Sequence, residues 1–227
     1  VIVSRTHKFI FLKSVKTAGT SIQVALSPFL VPGVDCGCGA RWCSTKCPFV
    51  GGNCYQLLNP KKTPPTREQL PGHYRRTQFF SPHESLKSLV ATLPQDEIKQ
   101  YFKFVFVRNP FDRLVSRYWH LGGPKKYDSF NQFVLKYPCL PGNFIYRTWC
   151  RYNEIKVDFI GRYENLKTDF NYICDTIGLP RTELPRCRGQ HRKDKKHYTE
   201  YYTKELRELV ESYCAEDLKQ FNYKFGD

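Results

Sequence analysis

Two short stretches contain no polar residue, and each runs into a helical pattern. Phe9-Ile10-Phe11-Leu12 leads to Lys16-Thr17-Ala18-Gly19-Thr20-Ser21 and an amphipathic run. Phe104-Val105-Phe106-Val107 leads to Arg108-Asn109-Pro110 and a second one. A strand that is apolar on both faces has to be covered on both faces, which is the situation of a parallel sheet between layers of helices. VDFIGRYENL at 157–166 reads as a third strand followed by a turn. Helical patterns occupy 81–93, 96–102, 110–121, 129–137, 167–179 and 199–221, the last as a long helix or a helix pair. In the first of these, Ser81 is the expected N-cap, with Pro82 at the first helical position and Glu84 completing a capping box. The alternation predicts an α/β fold with a central parallel sheet flanked by helices. Ligands of such sheets lie beyond the carboxyl ends of the strands. The junctions KSVKTAGTS and VRNPFDRLVS therefore become the places to look for function.

A length of 227 residues, 41% of them apolar, suits one domain over 1–227. Within it, roughly 31–72 is rich in Cys, Gly, Pro and Lys and reads as an irregular insertion. Formal charge is +15, which attracts polyanions without choosing among them. No run of apolar residues is long enough to span a membrane, and no signal peptide is visible. Val1 opens inside strand-like sequence, so an anchor or targeting segment ahead of it is compatible with the reading. Ten cysteines, five of them in CGCGARWCSTKCPFVGGNC, fit disulfides in an oxidising compartment. The irregular spacing is a poor match to a zinc ribbon, although zinc and free thiols remain alternatives. Cys174 and Cys214 fall in helical patterns and suit the core.

At the first junction, Gly19 allows close backbone approach, and the N–H groups opening the helix favour an anion. Lys16 adds charge, and Thr17, Thr20 and Ser21 add hydroxyls. The alternative is an ordinary glycine turn. At the second junction, Arg108 ends the strand and Ser116 follows two turns into the helix. Arg108 is suited to gripping a phosphate. The alternative is that it pairs with Asp112, with Ser116 a packing residue.

Taken together, a strand, K-T-A-G-T-S and a helix, with F-V-F-V-R-N-P-F-D-R-L-V-S-R-Y about ninety residues later, resemble the sulfotransferase superfamily. The likeness is strongest to the carbohydrate-type (family 2) sulfotransferases, and FIGRYENLKTDFNYICDTIGLP and the closing helical region add to it. The cysteine-rich stretch is not part of the resemblance. The resemblance implies a P-loop-like three-layer fold and 3′-phosphoadenosine-5′-phosphosulfate (PAPS) as co-substrate, with 3′,5′-adenosine bisphosphate as product and no required metal. It implies that Lys16, Thr17, Ala18, Gly19, Thr20 and Ser21 hold the 5′-phosphosulfate, and that Arg108 and Ser116 hold the 3′-phosphate. The absent G-K-[ST] ending is then accounted for, because its hydroxyl serves Mg²⁺ in nucleotide triphosphatases. Lys16 is the candidate for stabilising charge on the leaving group.

For the base, His83 is favoured over His73, because the helix start expected there would hold its imidazole neutral. The plain alternative for His83 is a solvated residue at a helix start, and His73 is also a candidate acceptor contact. Related enzymes have a basic loop late in the chain that closes over the nucleotide. Lys195 and Lys196, in the basic run 186–202, are the candidates for that role, against a solvated loop. The expected acceptor is a hydroxyl-bearing carbohydrate, with an acidic glycan favoured by charge and a small molecule as the alternative, and no nucleic acid is expected as a partner. Animal and algal relatives of this type work in the Golgi lumen, whereas bacterial ones are cytoplasmic. Readings of a different class are a P-loop nucleotide kinase, disfavoured by the missing Mg²⁺ ligands, and a non-catalytic polyanion-binding module.

Overall fold

The computed structural model describes residues 1–30, 83–136, 145–187, 192, 194 and 196–227. The cysteine-rich stretch, His73, Ser81, Pro82 and Lys195 lie outside the described residues.

The main sheet has four strands: β1 (Ile2–Ser4), β2 (Phe9–Leu12), β3 (Phe102–Val107) and β6 (Phe159–Arg162), in the order β1-β2-β3-β6. β2, β3 and β6 run parallel, while β1 pairs antiparallel with β2 at the edge. The sheet is thus parallel through its functional part and mixed at one margin. A small hairpin of β4 (Arg151–Tyr152) and β5 (Ile155–Lys156) stands apart from it.

Alternation along β2 and β3 divides the core in two. Phe9, Phe11, Phe104 and Phe106 point to one face, where they pack with Ile22 and Leu26 of α1 (Gly19–Leu26) and with Phe170 and Ile173 of α6 (Leu166–Thr176). Ile10, Leu12, Val105 and Val107 point to the other. There they meet Leu86 and Leu89 of α2 (Leu86–Thr92), Ile98 of α3 (Gln95–Gln100) and Phe221 of α8 (Ala215–Phe221). Both faces of β2 and β3 are covered, which explains the apolar runs Phe9–Leu12 and Phe104–Val107. Lys103 of β3 is buried as well, with its ammonium 2.7 Å from the Asp158 carboxylate. A third cluster joins α4 (Pro110–His120), α5 (Phe130–Lys136) and α7 (Lys204–Tyr213) through Phe111, Tyr118, Phe133 and Val210.

Local signals set several boundaries. Pro110 opens α4 behind an Asn109 N-cap whose side chain accepts from the Phe111 N–H. At the end of α6, Gly178 takes φ 69°, and the Leu179 N–H reaches back to the Cys174 carbonyl at 2.9 Å. This is the left-handed C-terminal cap that glycine permits. The closing region is a helix pair, with α7 and α8 meeting at Cys214.

One expected boundary differs. α2 starts at Leu86, capped by Ser85, whose hydroxyl accepts from the Ser88 N–H at 3.1 Å. His83 and Glu84 therefore precede the helix, and Glu84 does not stand at its third position. Serine recurs at 81, 85 and 88, and the one that caps is the one directly before the buried Leu86 and Leu89.

Candidate active site

The carboxyl ends of β2, β3 and β6 open into one cleft of about 700 Å³. Residues directly following each strand line it: Lys13 after β2, Arg108 after β3 and Tyr163 after β6. The cleft is lined by the cationic residues Lys13, Lys16, Arg108, Arg117, Arg186 and Arg192, and among the described lining residues by a single carboxylate, Asp194.

The loop from β2 to α1 is shaped by its backbone. Lys16 and Ala18 both adopt left-handed conformations, with φ 65° and 61°. Such residues are uncommon outside glycine and cluster at functional turns. Ala18 is the N-cap of α1 and offers no side-chain cap, so the helix presents N–H groups to the cleft. Gly19 also has a packing reason that the sequence did not show. A Cβ there would lie 2.5 Å from Cγ of Lys13, whose stem crosses directly over the position. Lys13 is 3% exposed, and its ammonium donates to Gln23 Oε1 at 2.8 Å.

The hydroxyls of this loop divide their duties. Thr17 is buried and stands outside the cleft lining; its hydroxyl lies 2.7 Å from that of Ser14, which in turn donates to the Phe106 carbonyl. Thr17 therefore fastens the loop to β3 through Ser14. Thr20 and Ser21 do line the cleft, and the Cys187 N–H donates to Ser21 Oγ at 3.3 Å.

Arg108 is held on three sides. It pairs with Asp112, with Nε 2.8 Å and Nη2 2.6 Å from the same carboxylate oxygen. Its Nη1 donates to the Lys16 carbonyl at 3.2 Å, tying the two junctions together. Its guanidinium lies 3.9 Å from the centre of the Tyr163 ring. The pairing with Asp112 that the sequence left open is present, and Arg108 nevertheless faces the cleft together with Ser116.

His83 is brought to the same cleft. Its Nδ1 lies 2.8 Å from the Lys13 carbonyl. A carbonyl only accepts, so Nδ1 carries the proton and Nε2 keeps its lone pair. The residue is exposed as a whole, yet enough protein lies about the ring to lower its pKa to about 4. Burial is the first cause, and the charges of Lys13 and Arg117 add to it against the opposing hydrogen bond. The neutrality expected of His83 is thus present for a different reason, since no helix begins at that residue.

Of the basic loop, Lys196 is exposed and outside the lining, while Arg192 and Asp194 reach the cleft. Arg192 lies 3.8 Å from Asp112 and 3.2 Å from Asp194, and Tyr201 donates to Asp194 while accepting from Trp119 Nε1. Lys13, Tyr163 and Arg192 are additions to the residues picked out from sequence. Tyr163 had a usable signal, because it is the first residue beyond a strand's carboxyl end.

The family model described as "Sulfotransferase family" matches residues 1–224. Carbohydrate sulfotransferase 14 of Danio rerio is 28% identical over 184 residues, covering 62% of this chain and 50% of that protein. Carbohydrate sulfotransferase 9 of Homo sapiens is 25% identical over 171 residues, covering 56% and 38% respectively. An uncharacterized protein of Archaeoglobus fulgidus is 40% identical over 89 residues, covering 35% of this chain and 70% of that protein. The aligned part spans half or less of the two named relatives' lengths. No solved structure gives a significant match.

Proposed function

The chain belongs to the sulfotransferase family, and from that premise we propose that it transfers the sulfuryl group of PAPS to a hydroxyl of a carbohydrate acceptor. The observation that carries the reading is the convergence on one cleft of the 13–21 loop, Arg108 with Ser116, and His83 held with Nε2 unprotonated.

The cleft suits the co-substrate chemically. Its volume is in the range of small-molecule sites, and its lining is rich in cations and hydroxyls, as a ligand with two phosphate-bearing ends requires. Lys16, Thr20, Ser21 and the N–H groups opening α1 would hold the 5′-phosphosulfate. Arg108 and Ser116 would hold the 3′-phosphate. Within the basic loop, Arg192 joins Lys195 and Lys196 as a candidate to close over the nucleotide, and of the described ones it is Arg192 that lines the cleft. When bound, PAPS supplies an activated sulfuryl group on a phosphate leaving group.

His83 is the proposed base. Nε2 accepts the proton of the acceptor hydroxyl, and the Lys13 carbonyl holds the opposite edge of the ring in place. An anion bound in the cleft raises the proton affinity of this imidazole, because nearby negative charge favours the cationic form. Lys16 supplies positive charge as negative charge grows on the leaving oxygen. The carbohydrate acceptor is supported by the names of the two aligned relatives. An acidic one is favoured by the cationic lining, which includes Arg117 and Arg186 in addition to the residues given to the co-substrate. The five cysteines clustered at 36–54 favour an oxidising, luminal compartment such as the Golgi, whereas Cys150, Cys174, Cys187 and Cys214 carry free thiols.

A thermal-shift comparison tests the reading. Adenosine 3′,5′-bisphosphate should stabilise the protein and ATP with Mg²⁺ should not; the reverse result would support a kinase and sink this proposal. A screen with sulfate-labelled PAPS against glycans, with and without carboxylates, then identifies the acceptor.

A further inference from the structure

Arg108 grips a phosphate well only if its fork is aimed, and the aim depends on both its side chain and its backbone. The side chain is held by Asp112, the Lys16 carbonyl and the Tyr163 ring. The backbone is held from the next residue along the chain. The neighbour of Tyr163 in the same 3₁₀ turn (Tyr163–Asn165) is Glu164, and its Oε1 accepts from the Asn109 N–H at 2.8 Å. That N–H belongs to the peptide unit that begins at the Arg108 carbonyl. The other oxygen, Oε2, accepts from the Tyr223 hydroxyl at 2.7 Å, so both carboxylate oxygens are engaged. The close Glu164 charge contributes to keeping the Tyr223 proton in place, after burial of the ring. Asn109 is itself 1% exposed and bound through its side chain to the Lys224 carbonyl and Tyr198, which makes it a firm anchor for whatever Glu164 fixes.

We propose that Glu164 is a positioning residue for Arg108: the turn after β6 orients the arginine twice, through the Tyr163 ring and through the Glu164–Asn109 bond, and so sets how strongly the cleft prefers a nucleotide with a 3′-phosphate. This rests on the co-substrate reading above. Glu164 touches no ligand in this arrangement, and its stem is exposed at the surface. Its replacement removes no side chain from the buried clusters, but it leaves the Asn109 N–H and the Tyr223 hydroxyl without this acceptor.

The quantity to measure is the ratio of the Kd of adenosine 5′-phosphate to that of adenosine 3′,5′-bisphosphate, by calorimetry on the whole chain. In Glu164→Ala the ratio should fall about ten-fold, through weaker bisphosphate binding alone, on the scale of one charge-assisted hydrogen bond. Glu164→Gln keeps an acceptor for the Asn109 N–H and should restore most of the ratio. Tyr223→Phe, which frees one carboxylate oxygen, should produce a smaller fall. A large wild-type ratio that survives Glu164→Ala overturns this inference alone, as does equal weakening of both nucleotides, the mark of a merely structural role. A wild-type ratio near one overturns the co-substrate reading and this inference with it.

Discussion

The two strand-to-helix junctions present charge to the same cleft by different means. The first is built by backbone: left-handed residues at 16 and 18, a helix start without a side-chain cap, and hydroxyls of which Thr17 serves the loop itself. The second is built by a side chain, Arg108, aimed by a carboxylate, a carbonyl and an aromatic ring. A site made of N–H groups is sensitive to what crowds or strains the chain. A site made of one guanidinium is sensitive to the loss of that group and of the partners that aim it.

Substitutions can pull this contrast apart. The largest effect is expected at Lys16, where side chain and backbone disagree. Lys16→Gly removes the ammonium and should lower kcat by about 10²–10³. It also removes the left-handed strain of a non-glycine residue, about 1 kcal/mol, so Tm should hold or rise. A fall in both quantities would mean that the loop's shape depends on the lysine side chain. Next, Arg108→Ala should weaken adenosine 3′,5′-bisphosphate by about ten- to a hundred-fold. Adenosine 5′-phosphate should be affected far less, and calorimetry that finds both equally weakened would erase the division between the junctions.

A more local effect is expected at Gly19. The added methyl of Gly19→Ala meets the stem of Lys13, whose far end is fixed on Gln23. Overpacking of that kind costs about 1–3 kcal/mol, measurable by urea unfolding; an unchanged midpoint would mean that Lys13 swings aside.

The last effect is confined to acid pH. The His83 pKa falls from 6.5 to about 4 in the folded chain. The unfolded chain therefore binds the extra proton in that interval, and stability rises with pH there. This contribution is complete above pH 6.5 and is lost as pH falls toward 4. His83→Gln should flatten the stability profile between those limits and leave it unchanged at higher pH. A profile identical to wild type would mean that His83 titrates normally.

How much of this was visible in the sequence follows from how each feature is encoded. β2, β3 and the helices behind them were legible because burial on both sides leaves little place for an unpaired polar residue, and because Pro110 and Gly178 mark ends chemically. The β4–β5 hairpin has only two residues per strand, too few to show a period. Lys16, Arg108 and Ser116 were legible as motifs, and the cleft does contain them. Lys13 was not, because a lysine at a strand's end reads as exposed, and only the fold shows its stem covering Gly19 and its carbonyl holding His83. The place of Arg192 at the cleft depends on which cation of a predominantly basic run reaches Asp112, and sequence treats those cations alike. His83 was chosen for its place at a helix start, yet its environment comes from Lys13 and Arg117, distant in the chain.

The bond from Arg108 to the Lys16 carbonyl has a consequence for selectivity that charge alone does not give. It makes the two junctions behave as the fixed jaws of a calliper. Under the proposed co-substrate reading, a ligand that reaches both would be gauged by the span between its charged groups, since moving either jaw strains the 3.2 Å contact that joins them. Two anions of equal charge and different reach are then unequal ligands.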